Sequence, residues 1–212
     1  MIAPGMALAA RHVIEPELPC LLSDASADRQ GLLATAITQT GMDIWRVHQV
    51  CLREGHDLAL LILDRASAFD ETPRIRQSIL STRVPPVGEA VSISGFVAEN
   101  IHFPIDGGCK GRIHTALGLV LEHYPLGRDR CMMPGPCFSV AVGTPGGLSG
   151  GPVFDEAGRV VGVLSSSFGD GPDDISFVSL LTPALTMLFE PHWLIKGLVT
   201  SATNLIELDP RL

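Results

Sequence analysis

A serine flanked by glycines is the feature of this sequence with the clearest capacity for chemistry. Residues 147–152 read Gly-Leu-Ser-Gly-Gly-Pro, and an apolar stretch follows. A serine hydroxyl acts as a nucleophile only when a base takes its proton and donors receive the charge that develops on the substrate. Gly147 and Gly150 can adopt backbone angles that residues with a Cβ avoid, so the amides of Gly147 and Ser149 can point into one hole. A glycine-rich loop that only joins two strands remains the alternative.

A nucleophilic serine requires a histidine base and an acid that orients it. Of the seven histidines, His12 follows the small and apolar residues 7–10, which predicts a base at the end of a buried strand. Asp57 precedes the continuous apolar run 58–63, which predicts a core strand. A partly desolvated carboxylate at that position needs a partner such as an imidazole N–H. His12 and Asp57 are therefore the candidate base and acid for Ser149.

Three other residues compete for these roles. His56 is adjacent to Asp57, but neighbours in a strand point to opposite faces, so His56 fits a structural role better. Asp43 and Asp64 are rival acids, and neither combines a strand start with a following apolar run. His102, His114, His123 and His192 lie in polar or turn-like segments and fit surface or structural roles.

Three segments of the sequence resemble the trypsin-like (chymotrypsin-fold) serine peptidase family, in its compact, disulfide-free bacterial form. They are Ala-Arg-His-Val at 10–13, His-Asp-Leu-Ala-Leu-Leu at 56–61, and the serine loop with its strand at 147–155. The chain order His, Asp, Ser is that of chymotrypsin, and it differs from the orders of subtilisin and of the α/β-hydrolases. The resemblance covers roughly residues 2–182.

The resemblance implies a mechanism and a role for each matching residue. Ser149 attacks the scissile carbonyl, His12 takes and returns the proton, and Asp57 holds the imidazole tautomer. The amides of Gly147 and Ser149 form the oxyanion hole. The expected function is a serine endopeptidase that hydrolyses peptide bonds through an acyl-enzyme. The alternative is a catalytically silent peptide-binding or scaffold relative with an incomplete first barrel.

The resemblance also implies where a substrate binds. In this family the base of the primary pocket lies about six residues before the nucleophile, which here is near Gly143. No acid stands there, and a pocket without an acid favours cleavage after small or apolar residues. An extended peptide would add as a strand along Ser165, Ser166 and Ser167. Phe177 would lie in the opposite wall.

The residue before the nucleophile departs from the family pattern. Zymogen members carry an aspartate there, which pairs with a newly cut N-terminus, whereas this chain has Leu148. Activation through that ion pair is therefore not expected. The loop must be ordered by its own packing or by a partner.

Short apolar runs separated by turn residues predict an all-β fold. The predicted strands are 32–37, 45–52, 58–63, 90–95, 113–121, 138–142, 159–165 and 175–181, with a hairpin between 152–155 and 159–164. After residue 182 the pattern predicts a short helix with proline in its first turn.

The family architecture gives these strands an arrangement. We expect two antiparallel, six-stranded-type β-barrels, chymotrypsin-like, in a peptidase domain at 1–182, and a C-terminal helix and tail at 183–212. The first barrel is expected at about 1–80 and the second at about 86–182. Only eleven residues precede His12, where the family places two strands, so the first barrel is expected to be incomplete.

Composition excludes several classes of function. The 212 residues, 46% of them hydrophobic, can form two small barrels. A net charge of −8 without a basic patch argues against nucleic-acid binding, and no apolar run is long enough to span a membrane. The expected partner is a polypeptide substrate.

The cysteines bear on cofactors and on the compartment. They number five, an odd count, and none forms a C-x-x-C pair, so neither a zinc site nor a disulfide framework is expected. No metal or organic cofactor is expected. Free thiols and the lack of a signal peptide at Met1 indicate a cytoplasmic location, although a further segment upstream would change this expectation.

Overall fold

The computed structural model describes residues 1–2, 5–18, 32–38, 41–66, 77–97, 112–190 and 202–208. Within these ranges the chain forms ten strands and a few helices of one turn. The strands belong to a four-stranded sheet and a closed six-stranded barrel, both antiparallel. The expectation of an all-β fold with two β units is confirmed.

The first sheet carries the segments around His12 and Asp57. Its described strands have the order β1-β4-β3-β2, and they are β1 (Met6–Ala9), β2 (Leu33–Thr38), β3 (Gly41–Leu52) and β4 (Ala59–Arg65). Helix α1 (Arg11–Ile14) and a 3₁₀ turn at Glu15–Glu17 follow β1 directly. In the described part of the chain this sheet has four strands and does not close, in line with the expected incomplete first barrel.

The second unit is a closed barrel that carries the serine loop. Its strand order is β10-β7-β6-β5-β8-β9. The strands are β5 (Ala90–Phe96), β6 (Ile113–Tyr124), β7 (Cys137–Val140), β8 (Pro152–Phe154), β9 (Val160–Phe168) and β10 (Ile175–Leu180). Strands β8 and β9 pair as the predicted hairpin. The strands of the two units lie on either side of residues 80–86, and the proposed domain boundaries stay a prediction.

Each apolar run that the sequence marked as a strand forms one, with ends that differ by a few residues. The short helix α2 (Thr182–Leu185) has Pro183 in its first turn, as predicted, and α3 (Leu205–Leu208) lies nearer the C-terminus. One prediction was wrong: His12 does not end a strand but lies on α1. A short apolar run does not distinguish strand from helix, and Ala10 and Arg11 favour helix.

Two clusters of buried side chains hold these units together. One fills the closed barrel, where Ile93 and Phe138 are fully buried. The other draws residues from both units, with Leu60 of β4 in one cluster with Val163 of β9 and Phe189. Truncating a leucine in such a cluster to alanine typically costs about 2–5 kcal/mol. The second cluster therefore fixes the sheet against the barrel.

The carboxylate of Asp155 ties the segment between the two units to the barrel. Its side chain is buried and accepts hydrogen bonds from the backbone N–H groups of Ala157 and Arg159, at 3.0 and 2.9 Å. The guanidinium nitrogens of Arg159 and Arg83 lie 2.7 and 3.3 Å from Asp155 Oδ2. Arg83 also pairs with Glu89. Because Arg83 belongs to the connecting segment, this network holds that segment against the β8–β9 turn.

The ionisation of Asp155 is coupled to this network. Burial opposes the charge, but hydrogen bonds from Arg159 and Arg83 outweigh it and lower the pKa of Asp155. A lowered carboxyl pKa stabilises the fold at pH values above the unfolded-state pKa. That contribution disappears as the pH falls through the folded-state value.

Two further features concern the chain as a whole. Cys51 and Cys137 are buried and Cys131 is exposed, and all three are free thiols. Cys20 and Cys109 lie outside the described residues. No helix within the described ranges is long and apolar enough to cross a membrane.

We predict that Asp155→Asn lowers the midpoint of thermal unfolding at pH 7 by on the order of 5 °C. The substitution removes the charge that Arg83 and Arg159 surround, and the difference from the parent chain should shrink as the pH falls. The matched control is Glu156→Gln in the same turn, where the side chain is exposed. Equal midpoints for the Asp155 variant and the control would contradict a role for this network.

Candidate active site

His12 and Asp57 form a close pair across the first sheet. Helix α1 places His12 just after β1, and Asp57 lies two residues before β4, the strand that pairs with β1. His12 Nδ1 is 2.9 Å from Asp57 Oδ2 and 3.1 Å from Oδ1. The backbone N–H of His12 also donates to Oδ1, at 3.0 Å. The carboxylate thus fixes both the imidazole ring and the peptide that carries it.

The two partners differ in exposure, and this difference sets their electrostatics. The side chain of Asp57 is 9% exposed, and that of His12 is 50% exposed. The hydrogen bond with Asp57 raises the pKa of His12, burial opposes this, and the negative charge of Asp57 adds to the increase. With Nδ1 held by Asp57, Nε2 is the ring nitrogen available for proton transfer.

Ser149 lies in the loop between β7 and β8 and faces the same cavity as His12. Its hydroxyl donates a hydrogen bond to the carbonyl oxygen of Ser165, at 3.0 Å. No hydrogen bond joins Ser149 to His12 among the described residues. The serine side chain would therefore have to turn from Ser165 toward His12 before proton transfer.

The glycines on either side of Ser149 have backbone angles that favour glycine. Gly147 has φ +90° and Gly150 has φ +91°. The N–H of Gly150 donates to the carbonyl of Leu164, at 2.8 Å. Within the described residues, the N–H groups of Gly147 and Ser149 have no protein acceptor. These two amides are free to receive an acceptor from a ligand.

Gly150 also brings the two units into contact. A Cβ on Gly150 would lie 3.4 Å from the backbone nitrogen of Ala10 and 3.7 Å from Cα of Ala9. Ala9 ends β1 and Ala10 precedes the helix of His12. The serine loop therefore packs directly on the backbone that leads to the histidine.

Two neighbouring cavities surround His12. The larger cavity, of ≈ 470 Å³, is lined by Ser149, and the smaller, of ≈ 260 Å³, is lined by Asp57 and His56. They share the lining residues His12, Met132, Ser165 and Ser166. The cleft therefore continues on both sides of the histidine, and His56 lies on the side away from Ser149.

The residues predicted to bind substrate divide into two groups. Ser165, Ser166 and Ser167 line the larger cavity. Gly143 and Phe177 are not among its lining residues. Gly143 is buried, and its N–H donates to the carbonyl of Gly171 at 2.8 Å, while Phe177 is 4% exposed.

Loops add lining residues that sequence reasoning missed. Met132 belongs to the β6–β7 loop, Thr144 and Pro145 to the β7–β8 loop, and Asp170 to the β9–β10 loop. The acid-rich stretch at 169–174 was a visible signal for Asp170. The position of Met132 had no local signal, because it depends on how its loop folds across the barrel.

An arginine connects that loop to the strands beside the cavity. The guanidinium carbon of Arg128 lies 4.1 Å from the ring centre of Phe177 and 4.9 Å from that of Phe168. Its Nε donates to Asp129, whose Oδ1 accepts backbone N–H groups within the same loop. Phe177 therefore does not line either cavity, and its ring packs against the guanidinium of Arg128.

The described residues contain no group of three or more histidine, cysteine or acidic side chains that could hold a metal ion. A base held by a buried carboxylate, a serine in the same cavity, and two free amides beside that serine can instead support nucleophilic attack on an acyl group.

Comparison with known proteins gives this site a context. The sequence model of the family described as a trypsin-like peptidase domain matches residues 2–163. No curated protein matches the chain.

Several solved structures share the fold at low sequence identity. Neuropsin, a serine protease expressed in the limbic system of mouse brain, is 16% identical with a TM-score of 0.57, over 86% of this chain and 82% of that chain. The Rv3671c protease of M. tuberculosis in an inactive form is 16% identical with a TM-score of 0.52, over 86% and 77%. The HtrA-type protease AlgW with a decapeptide is 20% identical with a TM-score of 0.54, over 87% and 47%.

We predict that the His12 pKa is above the ordinary histidine value and that Asp57→Asn lowers it. Ring resonances followed by NMR across pH, in a Ser149→Ala background, measure both values. His56 is the internal control, because burial and the nearby Arg53 lower its pKa. The raised His12 pKa stabilises the fold fully below the unfolded-state pKa, and this contribution is lost as the pH rises through the folded-state value. An unchanged His12 titration in Asp57→Asn would exclude the pairing.

Proposed function

The chain belongs to the trypsin-like peptidase family, and from this membership we propose that it is a serine endopeptidase with His12, Asp57 and Ser149 as its triad. The observation that carries the proposal is the His12–Asp57 pair, 2.9 Å between Nδ1 and Oδ2, beside the cavity that contains Ser149. A pair of this kind leaves the second ring nitrogen in the protonation state that a general base needs.

The proposed reaction proceeds in two steps. Ser149 rotates from the Ser165 carbonyl toward His12, loses its proton to Nε2, and attacks the scissile carbonyl carbon. The imidazolium, stabilised by Asp57, then gives that proton to the leaving amine, and an acyl-enzyme forms. In the second step His12 takes a proton from water, and the hydroxide attacks the acyl carbonyl carbon. The ester bond to Ser149 then breaks, the new carboxyl product leaves, and His12 returns the proton to Ser149 Oγ.

The oxyanion hole in this proposal consists of the N–H groups of Gly147 and Ser149. Support comes from the absence of an acceptor for either amide within the described residues, whereas Gly150 and Gly151 donate to backbone carbonyls. An oxyanion donor typically contributes about 3 kcal/mol to transition-state stabilisation. Gly147 suits this role because its φ of +90° turns the peptide in a way that a Cβ would oppose.

The substrate in this proposal lies along β9 as an added strand. The pairing of β8 with β9 ends at Val163, and the N–H of Leu164 donates to Gly151. From Ser165 onward, the edge of β9 on that side has no strand partner in the described structure. An extended peptide can pair there, with its scissile carbonyl near Ser149.

We further propose that the residue before the cleaved bond is small or apolar, and that the pocket favours small side chains over large aromatic ones. Thr144 and Ser167 line the cavity, and the hydroxyl of the buried Ser176 lies within hydrogen-bond distance of both. The N–H of Thr144 donates to Ser167 Oγ at 2.9 Å, and the Ser167 and Ser176 hydroxyls lie 3.2 Å apart. Ser176 is fully buried and its hydroxyl donates to the carbonyl of Val142, at 2.7 Å. This hydrogen-bonded group supports a shallow pocket.

A fluorophosphonate probe tests the catalytic proposal, because labelling requires an activated and accessible serine. We expect the parent chain to label, and Ser149→Ala and His12→Ala to abolish labelling. Asp57→Asn should lower the labelling rate by roughly 10⁴-fold, since the imidazole loses its orientation. His56→Ala is the matched control and should retain labelling.

The same experiment separates the two candidate functions. A folded parent chain that does not label, but still binds extended peptides, would support the catalytically silent peptide-binding relative. Labelling that survives in His12→Ala would mean that another base activates Ser149.

Peptide anilides that differ only in the residue before the scissile bond test the specificity. We expect kcat/KM for alanine to exceed that for phenylalanine and for lysine by about 10-fold or more. Ser167→Gly should raise the phenylalanine value relative to alanine, because it removes a hydroxyl that closes the pocket. Ser166→Gly is the matched control on the same strand. A preference for lysine would contradict the proposal and would implicate Asp170 at the cavity lining.

A further inference from the structure

Leu148 separates the two amides of the proposed oxyanion hole, and its side chain lies inside the second barrel. It is 2% exposed, whereas Gly147 before it is exposed and Ser149 after it is half-buried. Leu148 belongs to the cluster that fills the barrel, together with Ile93 and Val153. The loop therefore turns one side chain inward between the exposed Gly147 and Ser149, which lines the cleft.

Strand β5 accommodates Leu148 at a glycine. A Cβ on Gly95 would lie 3.3 Å from Cγ of Leu148, closer than ordinary carbon contacts. On the other side of the loop, a Cβ on Gly151 would lie 2.5 Å from the carbonyl oxygen of Ser94. The serine loop thus lies directly on β5, and these glycines set its distance from the strand.

Backbone hydrogen bonds fix the part of the loop that follows the serine. The N–H of Gly151 donates to the carbonyl of Leu148 at 2.9 Å, and the N–H of Leu164 donates to Gly151 at 2.9 Å. Gly150 donates to Leu164 at 2.8 Å. The Leu148 carbonyl belongs to the peptide that carries the Ser149 N–H, so the bond from Gly151 helps to hold that amide. The peptide that carries the Gly147 N–H makes no backbone hydrogen bond among the described residues, so its orientation depends on how the neighbouring Leu148 side chain packs.

We propose that Leu148 is a positioning residue, whose apolar packing against β5 aims the amides of Gly147 and Ser149 into the cleft. This inference rests on the proposed function of Ser149. The cluster around Leu148 is built from valine, leucine, isoleucine, alanine and phenylalanine side chains. A charge at this position would be strongly destabilising without a buried counter-ion. Apolar burial thus orders the loop, and neither an ion pair nor a cleavage event is required.

A series at position 148 tests the proposal by kcat, KM and the thermal unfolding midpoint on a peptide substrate. The variants are Leu148→Met, Leu148→Val and Leu148→Ala. We expect Leu148→Met to keep kcat within about three-fold, since methionine conserves the volume. Leu148→Ala should lower kcat by about 100-fold with KM within about two-fold, because misaimed donors weaken only transition-state binding. The kcat of Leu148→Val should lie between those of the methionine and alanine variants. This variant provides the test if the alanine variant does not fold.

Leu63→Ala is the matched control for the loss of a buried leucine. Leu63 is 3% exposed, lies in a separate cluster within the four-stranded sheet, and is not among the residues that line the cleft. Its loss should lower the thermal midpoint as much as Leu148→Ala does, and leave kcat within about two-fold.

The substitution Gly95→Ala tests the contact between β5 and Leu148 from the side of the strand. The added methyl group meets Cγ of Leu148, so we expect it to displace the loop and lower kcat by about 10-fold. Combined with Leu148→Ala, which removes Cγ and so makes room for that methyl group, it should cost less than the two single effects together. Simple additivity in this cycle would mean that the contact does not position the loop.

The remaining outcomes separate this inference from the function on which it rests. If the parent chain turns over substrate and Leu148→Ala lowers kcat no more than Leu63→Ala does, the positioning role is overturned and the peptidase proposal stays intact. A rise in KM with unchanged kcat would also overturn it. A folded parent chain that neither labels nor turns over substrate would overturn the proposed function, and the role of Leu148 with it.

Discussion

The backbone contact at Gly150 is the constraint on which the geometry of the site depends. Ser149 belongs to the closed barrel and His12 to the four-stranded sheet, so the distance between them is set by how the two units pack. At Gly150 the serine loop reaches the backbone of Ala9 and Ala10 without an intervening side chain. A Cβ there would oppose the backbone angle of +91°, and it would touch Ala9 and Ala10 at ordinary van der Waals distance. The apolar cluster between the two units also holds the four-stranded sheet against the barrel.

The side chains that would take part in the reaction differ in how deeply they are buried. Asp57 is nearly buried and receives two hydrogen bonds from His12, while the imidazole itself is half exposed. A buried carboxylate holds its partner firmly because breaking the pair would leave an unpaired charge in the interior. The exposed edge of the imidazole remains open to a ligand in the cleft. The pair therefore combines a fixed orientation with access for a substrate.

Local patterns in the sequence were sufficient for the strands and for the serine loop. Alternating or continuous apolar runs define β2 to β7, and the glycines around Ser149 take the left-handed angles that their type suggested. The helical turn at His12 was missed because four apolar and small residues fit either structure. Met132 and Asp170 line the cavity and Gly143 and Phe177 do not, since loop packing decides which residues reach a cleft. Such packing depends on contacts distant in sequence, which no local pattern encodes.

The burial of Leu148 has a thermodynamic consequence for the serine loop. Burial of the apolar Leu148 side chain contributes a heat-capacity change, as burial in any protein core does. The free energy that orders the serine loop therefore varies with temperature and with the salts in the solvent. It weakens on cooling, strengthens in sulfate, and is indifferent to the ionic strength that screens surface ion pairs. The order of the loop around Ser149 should therefore change with temperature and with added sulfate in the same direction as the stability of the barrel core.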